Sequence, residues 1–140
     1  MKTKITLLVL AAAMLAILTA CGAAATTGSS PDSPDGAVQV IGQGSLSFRF
    51  EVTDDAETLT AWDVSTDETT VGDALIAVGL IKGDVSEFGL YVTEVNGLIA
   101  DYDANQSWWG FFIDGEMAMA GADATDIEEG KVYAFIYTIG

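Results

Sequence analysis

The segment from residue 107 to residue 121 constrains the fold of this chain most, because its first half is apolar on both faces of an extended strand. Five of the six residues from Trp108 to Ile113 are large and apolar. Side chains alternate along a strand, so the adjacent tryptophans would point to opposite faces, Trp108 with Phe112 and Trp109 with Phe111 and Ile113. Such a strand is either covered on both faces or offers one face to a partner. The pattern leaves core filling and a binding surface equally open.

Two dipeptides predict tight hairpin turns. Asp114-Gly115 follows the apolar run, and Asn96-Gly97 follows a shorter predicted strand from Leu90 to Val95. Both dipeptides suit a two-residue turn that needs positive φ at its two central positions. The tryptophan strand is therefore predicted to turn back on itself at Asp114.

Alternating and β-branched residues predict three further strands. Strict alternation from Ser45 to Thr53 indicates a half-buried strand, and a return strand is predicted from Thr58 to Ser65. The last strand, from Lys131 to Ile139, has an aliphatic face of Val132, Ala134 and Ile136 and an aromatic face of Tyr133, Phe135 and Tyr137. One helix cannot cover both faces of a sheet, so the aromatic face is the candidate open surface.

A single short helix is predicted after residue 70. Thr70 is a candidate N-cap with Asp73 three residues on, and an apolar stripe follows at Val71, Ala74, Leu75 and Val78. Lys82-Gly83 would supply a cation and a C-cap glycine. The order of elements indicates an α+β fold, a mostly antiparallel sheet with one helix packed on one face.

The first 36 residues predict export and a lipid anchor. Residues 1–20 resemble a signal peptide, with two lysines before an apolar run that is short for a membrane span. The small residues before Cys21 resemble a bacterial lipobox, in which the cysteine is diacylated and becomes the first residue. We expect Cys21 to be lipidated, residues 21–36 to form a flexible tether, and residues 37–140 to fold. The domain would then lie at the cell membrane, on its extracytoplasmic face.

Composition excludes several classes of function. The chain has no histidine and one cysteine, so disulfide frameworks and histidine-based catalysis are excluded. Without the two lysines of the leader, three basic residues face 21 acidic ones, which argues against nucleic acid as a partner. No nucleophile elbow or phosphate loop is present, and the acidic pairs Asp54-Asp55 and Glu128-Glu129 lack an apolar setting. We therefore expect neither enzymatic activity nor a catalytic cofactor.

One polar segment resembles the start of a calcium loop. Asp101, Asp103, Asn105 and Ser107 place oxygen atoms at every second position. Gln106 then stands where such loops need glycine, and Phe112 stands where they need a bidentate glutamate. The sequence favours a polar loop over a metal site.

The segment Gly89-Leu-Tyr-Val-Thr-Glu-Val-Asn-Gly-Leu-Ile-Ala100, followed by Ser107-Trp-Trp, resembles the C-terminal β-domain of the transcobalamin and intrinsic factor family. The segment Thr70-Val-Gly-Asp-Ala-Leu75, with Asp114-Gly-Glu116 and Gly121, resembles the wider bacterial set of this domain, the DUF4430 lipoproteins. The resemblance covers about residues 45 to 139 and implies a β-grasp-like domain. In the vitamin carriers this domain covers one side of a corrinoid, and a separate helical domain supplies a cobalt-ligating histidine. This chain has neither.

Two functions follow as hypotheses. The first is capture of a small molecule at the membrane, with a corrinoid as ligand rather than catalytic cofactor. Its contacts would come from aromatic and polar residues on neighbouring strands: Tyr91, Thr93, Trp108, Trp109, Tyr133 and Phe135. The second is a protein-interaction module that serves a transporter or a larger surface protein. Aromatic side chains suit both, since they bury large areas in ligand sites and in interfaces.

Overall fold

The structure, a computed structural model, describes residues 38–140. Its strands are Gln39–Gly42 (β1), Leu46–Thr53 (β2), Leu59–Thr66 (β3), Ile81–Ser86 (β4), Gly89–Val95 (β5), Leu98–Ile99 (β6), Ser107–Ile113 (β7), Glu116–Met117 (β8) and Val132–Ile139 (β9). Two α-helices, Val71–Ala77 (α1) and Tyr102–Asn105 (α2), and a 3-10 helix, Ala122–Ala124, complete it. This content agrees with the predicted α+β class. The predicted signal peptide (1–20) and tether (21–36) lie outside the described residues.

The larger sheet has six strands in the order β1-β3-β2-β9-β7-β8. Its centre is the parallel pair β2 and β9, flanked by the antiparallel partners β3 and β7. The predicted strand boundaries agree with β2, β3 and β9 to within one residue, because strict alternation is a strong local signal. The strand β1, which pairs in parallel with β3, was not predicted.

The smaller sheet has the order β4-β5-β6 and contains a β-bulge. Lys82 pairs with Glu94 and Gly83 pairs with Val92, so Thr93 is the extra residue. Simple alternation after Val92 would turn Glu94 toward the core. The bulge instead lets Val95 point inward, where it is fully buried, and leaves Glu94 to pair with Lys82 on the surface.

Helix α1 begins as predicted and ends earlier. Thr70 is its N-cap, and its Oγ1 accepts a hydrogen bond from the Asp73 backbone N–H at 3.2 Å. The helix stops at Ala77, and Gly79 follows with φ of 76°. The prediction that Lys82-Gly83 caps the helix is wrong, because those residues belong to β4.

One face of the larger sheet, the inner face, builds the core with α1 and the smaller sheet. The cluster joins Phe50, Trp62, Trp109, Tyr133 and Phe135 of the sheet to the helix and to β4 and β5, through Val71, Ala74, Leu75, Ile81 and Val95. The prediction that the aromatic face of the last strand is open is therefore wrong, since Tyr133 is 0% exposed and Phe135 2%. A short helix that contributes valine, alanine and leucine supplies little volume, so aromatic side chains from the sheet fill the space.

Asp123 ties the 3-10 helix to the smaller sheet. Its Oδ2 accepts a hydrogen bond from the backbone N–H of Leu90 at 3.0 Å. A Cβ added at Gly72 would lie 2.6 Å from the Asp123 backbone nitrogen, so the glycine permits this close approach. The tie fixes the start of β5 against α1.

Candidate functional site

The two adjacent tryptophans of β7 have opposite environments. Trp109 pairs with Tyr137 of β9 and points into the core, where it is 6% exposed. Trp108 pairs with Thr138 and lies, partly buried, on the opposite face. The predicted split of the pair between two faces is confirmed. We call the face that carries Trp108 the outer face of the larger sheet.

The rings of Trp108 and Phe112 converge over Gly110 on this outer face. A Cβ added at Gly110 would lie 2.9 Å from Phe112 Cε2 and 3.3 Å from Trp108 Cζ3. The missing side chain thus leaves a gap that both rings fill. On the next strand, β9, the register places Ala134 beside Phe112 and Ile136 beside Gly110. We call these five residues the outer apolar surface.

The aromatic residues of the inner face form a connected set. The Trp109 and Tyr137 rings are edge-to-face with centroids 5.3 Å apart, and Phe111 contacts Phe135 at 5.1 Å. The Tyr133 hydroxyl donates to the carbonyl of Asp126 and accepts from the backbone N–H of Glu128. Trp109, Tyr133 and Phe135, which were predicted as ligand contacts, lie in this core.

Tyr91 and Thr93, the other predicted contacts, lie on β5 of the smaller sheet. Leu90 and Val92 pack against the core, and Tyr91 points away from it with 53% of its surface exposed. Trp108 also points away from the core, but from the larger sheet. The structure therefore places the predicted ligand contacts in three settings: the core, the outer face of the larger sheet, and the outside of the smaller sheet.

The segment with calcium-like spacing forms the short helix α2 and its caps. Asp101 Oδ1 accepts hydrogen bonds from the backbone N–H groups of Asp103 and Ala104, which makes Asp101 the N-cap. Asn105 Oδ1 accepts from the backbone N–H of Ser107 at 3.1 Å, and Ser107 Oγ accepts from the N–H of Asp101 at 2.9 Å. Capping and turn formation account for the alternating oxygen atoms.

Two surface features escaped the sequence reasoning. The hairpin between β4 and β5 exposes Val85 (83%) and Phe88 (93%) at its tip. The outer face also carries the ion pair Arg49–Asp63, with Arg49 Nε 2.7 Å from Asp63 Oδ1. The cation at Arg49, in an otherwise acidic sequence, was the available signal for the second feature.

Within residues 38–140, no three His, Cys, Asp or Glu side chains are grouped as metal ligands. In the same part of the chain, no helix has both the length and the apolar character that a membrane crossing requires.

The sequence matches the model of a protein family. The family described as "Domain of unknown function (DUF4430)" matches residues 68–138, which run from the residues before α1 to the end of β9. A search of curated protein sequences finds no significant match.

Solved structures share the fold, and two of them are compared with this chain. The first is a "putative metal binding protein" from Ruminococcus gnavus ATCC 29149, with a TM-score of 0.65 and 27% identity; the match covers 69% of this chain and 99% of that one. The second is haptocorrin in complex with Cbi, with a TM-score of 0.51 and 18% identity over 71% of this chain. The match spans only 26% of haptocorrin. At that identity, the second likeness shows the fold alone.

Proposed function

The chain belongs to the DUF4430 family, and from that premise we propose that it is a membrane-tethered module that captures a small molecule outside the cytoplasm, with a corrinoid as the leading ligand. The observation that carries the proposal is the outer apolar surface, where the Trp108 and Phe112 rings converge over Gly110. Aromatic rings on an uncovered sheet face suit a ligand with a flat, apolar body.

The resemblance to haptocorrin supports the choice of ligand. That protein was solved in complex with Cbi, and the vitamin carriers that the sequence resembles bind a corrinoid. Because the shared part is 26% of haptocorrin, a ligand bound by this chain alone would be covered on one side. We expect an affinity on the order of micromolar, unless a partner or a second copy covers the other side.

We also propose that the α+β fold of this domain is β-grasp-like. A parallel central pair, β2 and β9, is flanked by the antiparallel strands β3 and β7. With α1 packed against the inner face, this order supports a β-grasp-like arrangement.

The test is calorimetric titration of the full chain, in a neutral detergent, with cobinamide and cobalamin. Trp108→Ala should weaken binding at least about tenfold, because it removes the larger ring of the stacking surface. Tyr91→Ala is the matched control, as it removes an exposed aromatic ring from the other sheet. Loss of binding in Tyr91→Ala alone would move the site to the smaller sheet. Absence of binding at near-millimolar corrinoid would show that a corrinoid is not the ligand.

The membrane tether is a separate part of the proposal. It is supported by the lipobox-like residues before Cys21, which lie outside the described residues. Replacing Cys21 with Ser should release the protein from the membrane fraction of the producing cells. Unchanged retention of the variant would show that Cys21 does not anchor it.

The hairpin between β4 and β5 favours a second candidate function, docking to a surface protein or transporter. Val85 and Phe88 at its tip are too exposed to contribute much to the core, and exposed apolar groups of this kind mark interaction sites. A photo-crosslinking residue at position 88 should give a discrete adduct in cells, and the same residue at exposed position 57 should not. Identical adducts from both positions would remove this candidate.

A further inference from the structure

The outer face of the larger sheet contains a groove with a volume of about 570 Å³. It lies over β2 and its neighbouring strands, and nine residues line it: Val40, Ser47, Phe48, Arg49, Asp63, Ser65, Gly130, Lys131 and Val132. Most of these come from strand positions that point away from the core. The groove is therefore a feature of the same face that carries Trp108.

Polar side chains of this groove keep hydrogen-bond donors that the described residues do not use. Arg49 donates through Nε to Asp63 Oδ1 at 2.7 Å, and its two terminal nitrogens have no partner among residues 38–140. Lys131 Nζ lies 3.6 Å from Asp114 Oδ2 and 3.9 Å from Glu128 Oε2, beyond hydrogen-bond distance. Neither serine hydroxyl in the lining takes part in a hydrogen bond within residues 38–140.

The cations of the described residues are concentrated here. Three are present, and two of them, Arg49 and Lys131, line the groove. The third, Lys82, lies on the smaller sheet and donates to Glu94 Oε1 at 2.7 Å. In a chain with a formal charge of −16, the groove thus holds two of the three cations of residues 38–140 and one carboxylate, Asp63, in its lining.

We infer that this groove binds an oxyanion, a carboxylate or phosphate carried by a small molecule. The terminal nitrogens of Arg49 can donate two parallel hydrogen bonds to such a group, and Lys131 can add a charge-assisted bond. Asp63, Asp114 and Glu128 lie within 4 Å of the two cations and repel extended polyanions. The ligand is therefore a small anion rather than a nucleic acid or an anionic membrane.

This inference goes beyond the corrinoid proposal and does not depend on it. The groove lies over β2 and is lined by Arg49, whereas the outer apolar surface is centred on Gly110 of β7. Strand β9 separates β2 from β7, so the two are about 10 Å apart across the sheet. Failure of corrinoid binding would leave the anion site standing, and the reverse also holds.

The experiment is calorimetric titration of the full chain with inorganic phosphate at constant ionic strength. Saturable binding is expected, and Arg49→Gln should weaken it by on the order of tenfold, because charge-assisted hydrogen bonds are lost. Lys131→Gln should weaken it less, and Lys82→Gln, which removes the same charge outside the groove, should leave it unchanged. An equal loss of phosphate affinity in all three variants, or no saturable binding, would refute the proposed anion site.

Two further arms complete the test. Arg49→Lys keeps the charge but loses the planar guanidinium group. Weaker phosphate binding with an unchanged melting temperature would show that this group binds the anion and is not needed for folding. Phenyl phosphate distinguishes the source of the anion. Tighter binding than inorganic phosphate indicates a ligand whose body contacts Val40 and Val132, and equal or weaker binding indicates a free anion.

Discussion

The two faces of the larger sheet each carry one of two adjacent tryptophans, but they differ in aromatic content and in what covers them. The inner face is covered by α1 and by the smaller sheet, and its rings contact one another within the core. The outer face has no covering element among residues 38–140, and its rings lie over a glycine. Trp109 and Trp108, adjacent in sequence, therefore belong to a core and to a surface respectively. For this tryptophan pair, residue type does not decide between core and surface; the covering elements do.

The largest expected difference is in stability between the two tryptophans. Trp109→Ala should lower the free energy of unfolding by about 3–5 kcal/mol, because it leaves a cavity in the core. Trp108→Ala should cost about 1 kcal/mol, since the ring is only partly buried. Denaturant unfolding measures both. Trp109→Phe is the matched control and should cost less than the alanine change, because Trp109 Nε1 is buried without a partner in the described residues.

Equal losses for the two alanine variants would contradict the assignment of inner and outer faces. The same result, with no ligand found, would favour a partner that covers the outer face.

A smaller effect is expected from the hydroxyl of Tyr133 on the inner face. Tyr133→Phe should lower the free energy of unfolding by about 1–2 kcal/mol, because the hydroxyl accepts from Glu128 N at 2.9 Å and donates to Asp126 O at 3.2 Å. Tyr91→Phe, at an exposed ring with no hydrogen bond to its hydroxyl among the described residues, should change it by less than about 0.5 kcal/mol. Thermal or denaturant unfolding of the pair measures the difference. An unchanged free energy of unfolding in Tyr133→Phe would show that water replaces these hydrogen bonds.

Local sequence signals predicted much of the fold. The hairpins at Asn96-Gly97 and Asp114-Gly115 and the cap at Thr70 depend on neighbouring residues, and each is present. The strand β4 was missed because Lys82-Gly83 also suits a helix end, and only pairing with β5 and its bulge decides between the two structures.

The site was less predictable than the fold. Alternation along β7 separates Trp108 from Trp109, but it does not show which face is covered. The covering smaller sheet is held by distant contacts, such as that between Asp123 and Leu90. Likewise, Arg49 and Lys131 line one groove because β2 and β9 pair in parallel, a pairing between the two ends of the domain that no local pattern encodes.

Gly110→Ala tests the arrangement of the outer rings with a modest effect on stability. The added Cβ would meet Phe112 and Trp108 at side-chain atoms, and the backbone at Gly110 does not have the positive φ that would strain alanine. The rings can rotate away, so the free energy of unfolding should change by about 1 kcal/mol or less. Corrinoid affinity should nevertheless fall about as far as in Trp108→Ala, measured by the same titration. Unchanged affinity would show that the two rings need not converge for binding.

The smallest expected effect is the coupling between Arg49 and Asp63 on the outer face. Their side chains are 37% and 48% exposed, so solvent screens the pair. A double-mutant cycle with Arg49→Gln and Asp63→Asn should give a coupling energy of about 0.2–1 kcal/mol that falls as salt is added. A value well above this range would make the pair a structural element, and would weaken the inference that Arg49 is held for an anion. A small coupling energy, together with loss of phosphate binding in Arg49→Gln, would show that Arg49 contributes to anion binding and little to the stability of the fold.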